Sequence, residues 1–166
     1  MTRINLVPVQ ELTDQHLFAE FREIKMVPKS LNRSLLAAWN RCSASLNLNE
    51  NAYTGQTDVA IARKAVEQVY ENIPPSFTLG KGHVSFFYDK GSFLDNRYEE
   101  IRRELDKRGV PYNVSSRFDP DGHMDHAPWN GDYTPTPEAL AIIRARIAEK
   151  IAMKPHWYRT TEVETA

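Results

Sequence analysis

The sequence predicts a mainly α-helical fold, a compact single-domain bundle of three to four helices with long irregular loops. Three observations support this prediction. Apolar residues recur at helical spacing in several segments, for example at Leu17, Phe21 and Ile24, and this period is typical of amphipathic helices. Prolines and polar stretches separate these segments. The 166 residues suffice for one domain with a substantial core, so we expect residues 1–166 to form a single domain.

The first half of the chain contains the longest predicted helices. Thr13 is the predicted N-cap of the first helix, because its hydroxyl can accept a hydrogen bond from the first turn. Pro28 is expected to end or kink this helix, after which the apolar pattern resumes to about Cys42. Residues 43–56 are rich in Asn and Ser and predict a loop. A further helix is predicted over about residues 57–71.

The second half alternates irregular segments with helices. Residues 77–88 form a glycine-containing apolar stretch that fits either a short strand or a buried loop. A helix is predicted over about residues 92–108, with Gly109 as its stop. Residues 110–135 are predicted to be a long loop, which in a compact domain is usually functional or disordered. A last helix is predicted over about residues 137–153.

The composition indicates an ordinary globular protein, with 41 % hydrophobic and 26 % charged residues. No segment approaches the roughly 20 consecutive apolar residues of a membrane span, and the N-terminal apolar stretch is too short for a signal peptide. The single cysteine, Cys42, fits a reducing compartment, so we expect a cytoplasmic protein. The net charge of −1 gives no global sign of nucleic-acid binding, which would require basic residues concentrated on one face.

The first predicted helix carries His16, Glu20 and Glu23, spaced four and three apart. This spacing places them on one stripe of the helix. Such a stripe is usually a solvated polar face, although two carboxylates and an imidazole can also perform acid–base chemistry.

Two predicted helices also carry basic residues at helical spacing. If the first helix continues through Pro28, Arg22, Lys25, Lys29 and Arg33 form one stripe. The last helix carries Arg146, Lys150 and Lys154. Exposed basic stripes often serve solubility alone, but they also suit the binding of phosphates.

The loop over residues 119–126 has three aspartates and two histidines. Such a loop could bind a metal ion, yet it lacks the complete calcium-loop pattern and the histidine spacing of zinc enzymes. We therefore expect no metal, and a metal-dependent hydrolase built on this loop is the weakest alternative.

Several blocks occur in order along nearly the whole chain. They are Met1 to Leu6, Glu11-Leu12, Asp14 to Leu17, Ala19-Glu20, Arg22-Glu23, Gly82 to Lys90, Phe93-Leu94, Gly131 to Tyr133, Ala145-Arg146, Glu149 to Ala152, Pro155 and Trp157-Tyr158. With these blocks the chain resembles the phage-type pyrimidine-dimer DNA glycosylases and AP lyases (endonuclease V), apart from a probable helical insertion at about residues 44–70.

The resemblance implies an enzyme that acts on cyclobutane pyrimidine dimers in double-stranded DNA. It cuts the glycosidic bond of the 5′ pyrimidine and then breaks the strand by β-elimination, without a metal or other cofactor. We therefore expect a monomer that binds DNA containing pyrimidine dimers or abasic sites and that associates with the nucleoid in a bacterial or phage-infected cell.

The resemblance also implies roles for particular residues. The amine of Thr2 is the nucleophile once Met1 is removed, and Glu23 is the essential glutamate. Residues at the family's positions for binding the damaged strand are Arg3, His16, Arg22, Arg146, Lys150, Trp157 and Tyr158. The family has a further arginine where this chain has Met26, and Lys25 beside it is expected to supply a nearby charge.

Amine chemistry gives these assignments an independent rationale. An α-amino group has a pKa of about 7.7–8.0, against about 10.4 for a lysine side chain. An appreciable fraction of a terminal amine is therefore a nucleophile at neutral pH, and it can form a Schiff base with an opened sugar. A non-catalytic DNA-binding descendant of the family is the alternative, although the near-neutral net charge favours weakened binding over lost chemistry, since Thr2 and Glu23 are both present.

Overall fold

The computed structural model describes residues 3–45 and 55–164, and the predicted mainly α-helical fold is confirmed. Its elements are a short 3₁₀ turn (Val9–Glu11), α1 (Asp14–Glu23), α2 (Met26–Ser45), α3 (Gly55–Glu71), α4 (His83–Phe86), α5 (Gly91–Arg108) and α6 (Pro137–Met153). Within the described ranges, five helices have ten or more residues, more than the three or four predicted. Thr2 and part of the predicted loop, residues 46–54, lie outside the described residues.

The additional helix arises because the first predicted helix is two helices. The break falls at Ile24 and Lys25, ahead of Pro28, which lies buried in the first turn of α2. Proline has no N–H to donate to the carbonyl four residues earlier, and its ring clashes with that carbonyl. The Ile24 carbonyl instead accepts from the Val27 N–H, at 3.2 Å.

The predicted helix ends agree closely with the structure. The Thr13 hydroxyl accepts the His16 N–H as the N-cap of α1, and Gly109 ends α5 with a φ of 67°. The last helix begins at Pro137 and ends at Met153, as predicted. Helices extend into the predicted loop over residues 43–56 from both ends, because α2 continues to Ser45 and α3 begins at Gly55.

No helix in residues 3–45 or 55–164 is long and apolar enough to cross a lipid bilayer.

Residues 77–88 contain neither a strand nor a plain loop, but a loop followed by the one-turn helix α4. Phe77, Phe86 and Phe87 pack edge to face, with ring centroids 5.1 to 6.3 Å apart. Tyr133 joins this cluster at 5.4 Å from Phe86. The glycine-rich apolar stretch is therefore an aromatic part of the core.

The long loop over residues 110–135 is packed against the beginning of α5. A Cβ at Gly91 would collide with the carbonyl of Met124, and one at Gly131 would collide with the carbonyl of Asp89. Trp129 is buried at 2 % exposure. These close approaches explain why glycine occupies both positions.

The N-terminal segment, residues 3–7, enters the core without joining a helix, and a buried ion pair holds it there. The Glu20 carboxylate is fully buried and accepts a hydrogen bond from the Arg97 Nε at 2.7 Å. The same carboxylate accepts the Asn5 N–H at 2.9 Å, and Arg97 donates to the Val7 carbonyl. Backbone groups in a protein interior must find partners, and here two side chains on α1 and α5 supply them.

A buried histidine provides a further partner for this segment. His83, at the beginning of α4, accepts the Ile4 N–H on Nε2 at 2.9 Å. Its Nδ1 lies 2.8 Å from the Thr78 carbonyl oxygen. Because that oxygen can only accept, Nδ1 carries the proton and Nε2 is unprotonated.

Replacing Arg97 with alanine is expected to lower the free energy of unfolding by about 3–5 kcal/mol, since it leaves the Glu20 carboxylate buried without its cation. Urea unfolding followed by circular dichroism measures the change. Arg102→Ala is the matched control on α5, because Arg102 forms an exposed pair with Glu99 and such pairs contribute little. Equal stability of the two variants would contradict the assigned role of the buried pair.

Acidification is expected to destabilise the protein through His83. Burial lowers the pKa of His83, the bond to the Thr78 carbonyl raises it, the charge of Arg3 lowers it and that of Glu20 raises it, with a net lowering. As the pH falls below about 6.5, the usual histidine pKa, the unfolded chain takes up this proton and the folded chain resists it. The free energy of unfolding therefore falls with pH.

Urea unfolding between pH 8 and pH 5.5 measures this dependence. His83→Gln is expected to flatten it, whereas His156→Gln, at an exposed position, should leave it unchanged. An unaltered slope in His83→Gln would show that other groups cause the dependence.

Candidate active site

A cavity of about 440 Å³ opens between the N-terminal segment, α1, α6 and the C-terminal segment. Its lining residues are Arg3, Asn5, His16, Ala19, Glu20, Glu23, Arg146, Lys150 and Tyr158. Six of the predicted site residues thus meet in one place, although they come from four parts of the chain. Residue 2 precedes this segment directly and lies outside the described residues.

The two carboxylates that α1 contributes have different environments. Glu20 is buried and committed to Arg97 and the Asn5 N–H. Glu23 is half-buried, and its Oε2 accepts the Arg3 backbone N–H at 3.2 Å. Of the acid–base candidates His16, Glu20 and Glu23, the structure therefore leaves Glu23 as the carboxylate available at the cavity.

Three cationic side chains line the same cavity as Glu23, those of Arg3, Arg146 and Lys150. Burial and the nearby charge of Arg146 lower the pKa of Arg3, against the opposing influence of Glu23 and Glu149. Arg146 also pairs with Glu149 at 2.9 Å. Together with Lys150, these arginines make the cavity a suitable place for an anion such as a phosphate.

His16 and Tyr158 form a flat aromatic wall of the same cavity. Their rings stack at 4.6 Å with 6° between the ring planes. The Nδ1 of His16 is 2.7 Å from the Thr13 hydroxyl. Burial and the charge of Arg3 lower the pKa of His16, against the opposing charge of Glu20, and this favours the neutral ring.

The C-terminal segment reaches this position by binding the beginning of α1. The Asp14 N–H donates to the Arg159 carbonyl at 2.7 Å, and the Thr161 hydroxyl donates to the Asp14 carboxylate at 2.6 Å. Trp157 is not among the residues that line the cavity, and it is 64 % exposed. Its carbonyl accepts the side-chain amide of Gln15 at 2.8 Å.

Arg22 and Lys25, both predicted to bind DNA, lie at a second depression of about 400 Å³. Lys29, Ser116 and Arg117 line it as well. The Lys25 Nζ donates to the Ser116 hydroxyl at 2.7 Å, and burial together with the charges of Lys29 and Arg22 lowers the pKa of Lys25. The helix break places Lys25 between α1 and α2. The basic residues predicted to form a stripe on one helix therefore form a cluster, to which the 110–135 loop adds Arg117.

Sequence reasoning missed Asn5 and Arg117. Asn5 lines the cavity through the fold of the N-terminal segment, and Arg117 lies in a loop without periodicity. No local pattern marks either position, because both are brought to the site by long-range packing.

The aspartates and histidines of residues 119–126 do not assemble into a metal site. Among the residues that the structure describes, no three potential ligands come close enough to share an ion. The Asp119 carboxylate instead accepts the backbone N–H groups of His123 and Met124, at 3.0 and 2.7 Å. The Asp119 carboxylate thus stabilises the backbone of this loop.

A family model described as pyrimidine dimer DNA glycosylase matches residues 1–120 of this chain. The matched part contains the N-terminal segment, α1 and the Arg3, His16 and Glu23 side of the cavity, whereas Arg146, Lys150 and Tyr158 follow it. Because the match covers well over half of the 166 residues, the chain belongs to the pyrimidine dimer DNA glycosylase family.

Proposed function

We propose that this protein is a bifunctional enzyme that cuts the glycosidic bond of the 5′ pyrimidine in a cyclobutane pyrimidine dimer and then cleaves the DNA strand at the resulting sugar. The observation that carries the proposal is the hydrogen bond between the Arg3 N–H and the Glu23 carboxylate, 3.2 Å long, at a cation-lined cavity. The proposed nucleophile is the amine of Thr2, and the proposed assisting group is Glu23.

Covalent geometry supports this pairing. The Arg3 nitrogen is bonded to residue 2, and one residue spans at most about 3.3–3.6 Å of chain. This length is compatible with a Thr2 amine that reaches the Glu23 carboxylate once Met1 is removed. A carboxylate beside the reacting sugar can stabilise positive charge and accept a proton.

The proposed reaction proceeds in two stages. The unprotonated Thr2 amine attacks C1′, and the bond from C1′ to the 5′ pyrimidine breaks. Its electron pair goes to that pyrimidine, which stays joined to the 3′ pyrimidine through the cyclobutane ring. The sugar ring then opens, with its ring oxygen taking a proton, which gives a Schiff base between the amine and C1′. Glu23 accepts a proton from C2′, the 3′ phosphate leaves by β-elimination, and water hydrolyses the Schiff base.

The cations around the site are proposed to hold the DNA backbone. Arg3, Arg146 and Lys150 at the cavity would bind phosphates next to the lesion. The second cluster, with Arg22, Lys25 and Arg117, would bind further phosphates at the end of α1. A pyrimidine dimer is poorly stacked, which lowers the cost of exposing its C1′ to the cavity.

Borohydride trapping tests the nucleophile directly. With an oligonucleotide that contains one pyrimidine dimer, borohydride should reduce the Schiff base and join the DNA covalently to residue 2, as peptide mass spectrometry would show. A preparation that retains Met1 is expected to lose most of this trapping, because its amine is displaced by one residue. The reaction should proceed unchanged with a chelator present.

Glu23→Gln is expected to slow cleavage by about 10²–10⁴-fold, the usual contribution of acid–base catalysis, while dimer binding persists. Glu138→Gln is the control, since Glu138 is exposed in the first turn of α6. Full activity of Glu23→Gln would remove this residue from the mechanism. Dimer binding by the processed wild type without any adduct would support the non-catalytic descendant instead.

The salt dependence of DNA binding tests the proposed phosphate contacts. For Arg146→Ala, Lys150→Ala or Arg117→Ala, the slope of log association constant against log salt concentration should become shallower by about 1. Arg144→Ala is the matched control on α6, because Arg144 pairs with Glu11 away from the cavity. Fluorescence anisotropy measures each slope, and a slope change in Arg144→Ala alone would contradict the assignment.

A further inference from the structure

The geometry of the N-terminal segment depends on three side chains that act on consecutive backbone N–H groups. Glu23 accepts from Arg3, His83 from Ile4, and Glu20 from Asn5, at 3.2, 2.9 and 2.9 Å. These three acceptors come from α1 and α4, which are distant in sequence. Glu23 has a role in the proposed chemistry, and Glu20 forms the buried ion pair with Arg97. Of the three acceptors, only His83 has no role in the description so far.

The surroundings of His83 restrict its ring to one position. The side chain is 2 % exposed, and the rings of Phe77 and Phe87 contact it edge to face at 5.3 and 5.5 Å. Its Nδ1 donates to the Thr78 carbonyl at 2.8 Å. The aromatic contacts and this hydrogen bond fix the direction in which the unprotonated Nε2 points, which is toward the Ile4 N–H.

The backbone after Ile4 has a conformation that needs support from contacts such as the His83 hydrogen bond. Leu6 has a φ of 57°, in the left-handed region that side-chain-bearing residues adopt at a cost. On either side of Leu6, the Val7 N–H donates a hydrogen bond to the Asn5 carbonyl and closes a tight turn. A segment with this turn needs external contacts to keep its direction, and the Ile4 bond lies two residues from the proposed nucleophile.

We propose that His83 is a positioning residue for the reaction at residue 2, acting through the hydrogen bond that its unprotonated Nε2 accepts from the Ile4 amide. This inference rests on the proposed function, because it assigns His83 to the placement of the Thr2 amine beside Glu23. Misplacement of a reacting group by about 1 Å can reduce a rate on the order of 10²-fold. The loss should appear in the chemical step, since His83 does not line the DNA-facing cavity.

Two substitutions of His83 distinguish the hydrogen bond made by Nδ1 from the one made by Nε2. The amide of His83→Asn can replace Nδ1 as the donor to Thr78, but it is too short to reach Ile4. The side-chain oxygen of His83→Gln can extend to the position of Nε2 and accept from Ile4. We expect His83→Asn to lower the single-turnover rate of borohydride trapping by on the order of 10²-fold, with the dissociation constant for dimer DNA changed less than threefold.

His83→Gln is expected to recover most of the trapping rate. Hydrogen exchange of the Ile4 amide in the DNA-free protein should be fast in His83→Asn and slow in the wild type and in His83→Gln. Nitrogen NMR of the wild type should find the tautomer protonated on Nδ1, a readout that needs neither DNA nor a variant.

The outcomes distinguish this inference from the proposed function. No adduct with the processed wild type would overturn both. An adduct in the wild type with equal rates in His83→Asn and His83→Gln would overturn the role of His83 alone. So would an Nε2-protonated tautomer in the folded wild type, even if His83→Asn failed to fold.

Discussion

The buried ion pair between Glu20 and Arg97 is the interaction on which the candidate site depends. Residues 3–7 lie in the core without a helix or a strand to satisfy their backbone groups. Burial of an unpaired N–H or carbonyl is costly, so this path is available only where side chains supply partners. Glu20 and Arg97 provide two of them and neutralise each other's charge. The result is an irregular segment whose Arg3 N–H is bound by the carboxylate of Glu23.

The distribution of charge explains how a chain with a net charge of −1 can present a cationic site. Several acidic groups are neutralised inside the protein. Arg108, for example, is buried and binds both Glu104 and Asp14, at 3.0 and 3.1 Å. An ion pair adds nothing to the net charge, so the net charge does not tell where the remaining cations and anions lie. The field that a polyanion meets is set by local clusters, here the cations around the cavity and those beside Lys25.

The site joins both ends of the chain. The N-terminal segment supplies one wall, α1 the next, and α6 with the C-terminal segment the remainder. Thr161 binds the Asp14 carboxylate at the beginning of α1, and this contact brings Tyr158 onto His16. A site of this kind requires the complete tertiary fold, since no single element contains more than a part of it.

The sequence by itself determined the helical class of the fold, the caps at Thr13 and Gly109, and the bounds of the last helix. These features depend on local backbone chemistry, which a short stretch of residues contains completely. It also placed Glu20 and Glu23 on one stripe of α1, because helical periodicity follows from spacing alone. The resemblance to a known family added the candidate roles of Arg3, Glu23 and the basic residues of α6.

Only the tertiary structure decided which of these residues meet. Glu20 and Glu23 are three residues apart, yet only Glu20 pairs with Arg97 of α5 in the core. The Glu23 carboxylate stays at the cavity. His83 and Arg117 likewise acquire their positions from contacts far along the chain. Sequence spacing fixes the direction of a side chain on its own helix. The partner that it finds there depends on the packing of other elements, and that packing separates a structural carboxylate from a candidate catalytic one.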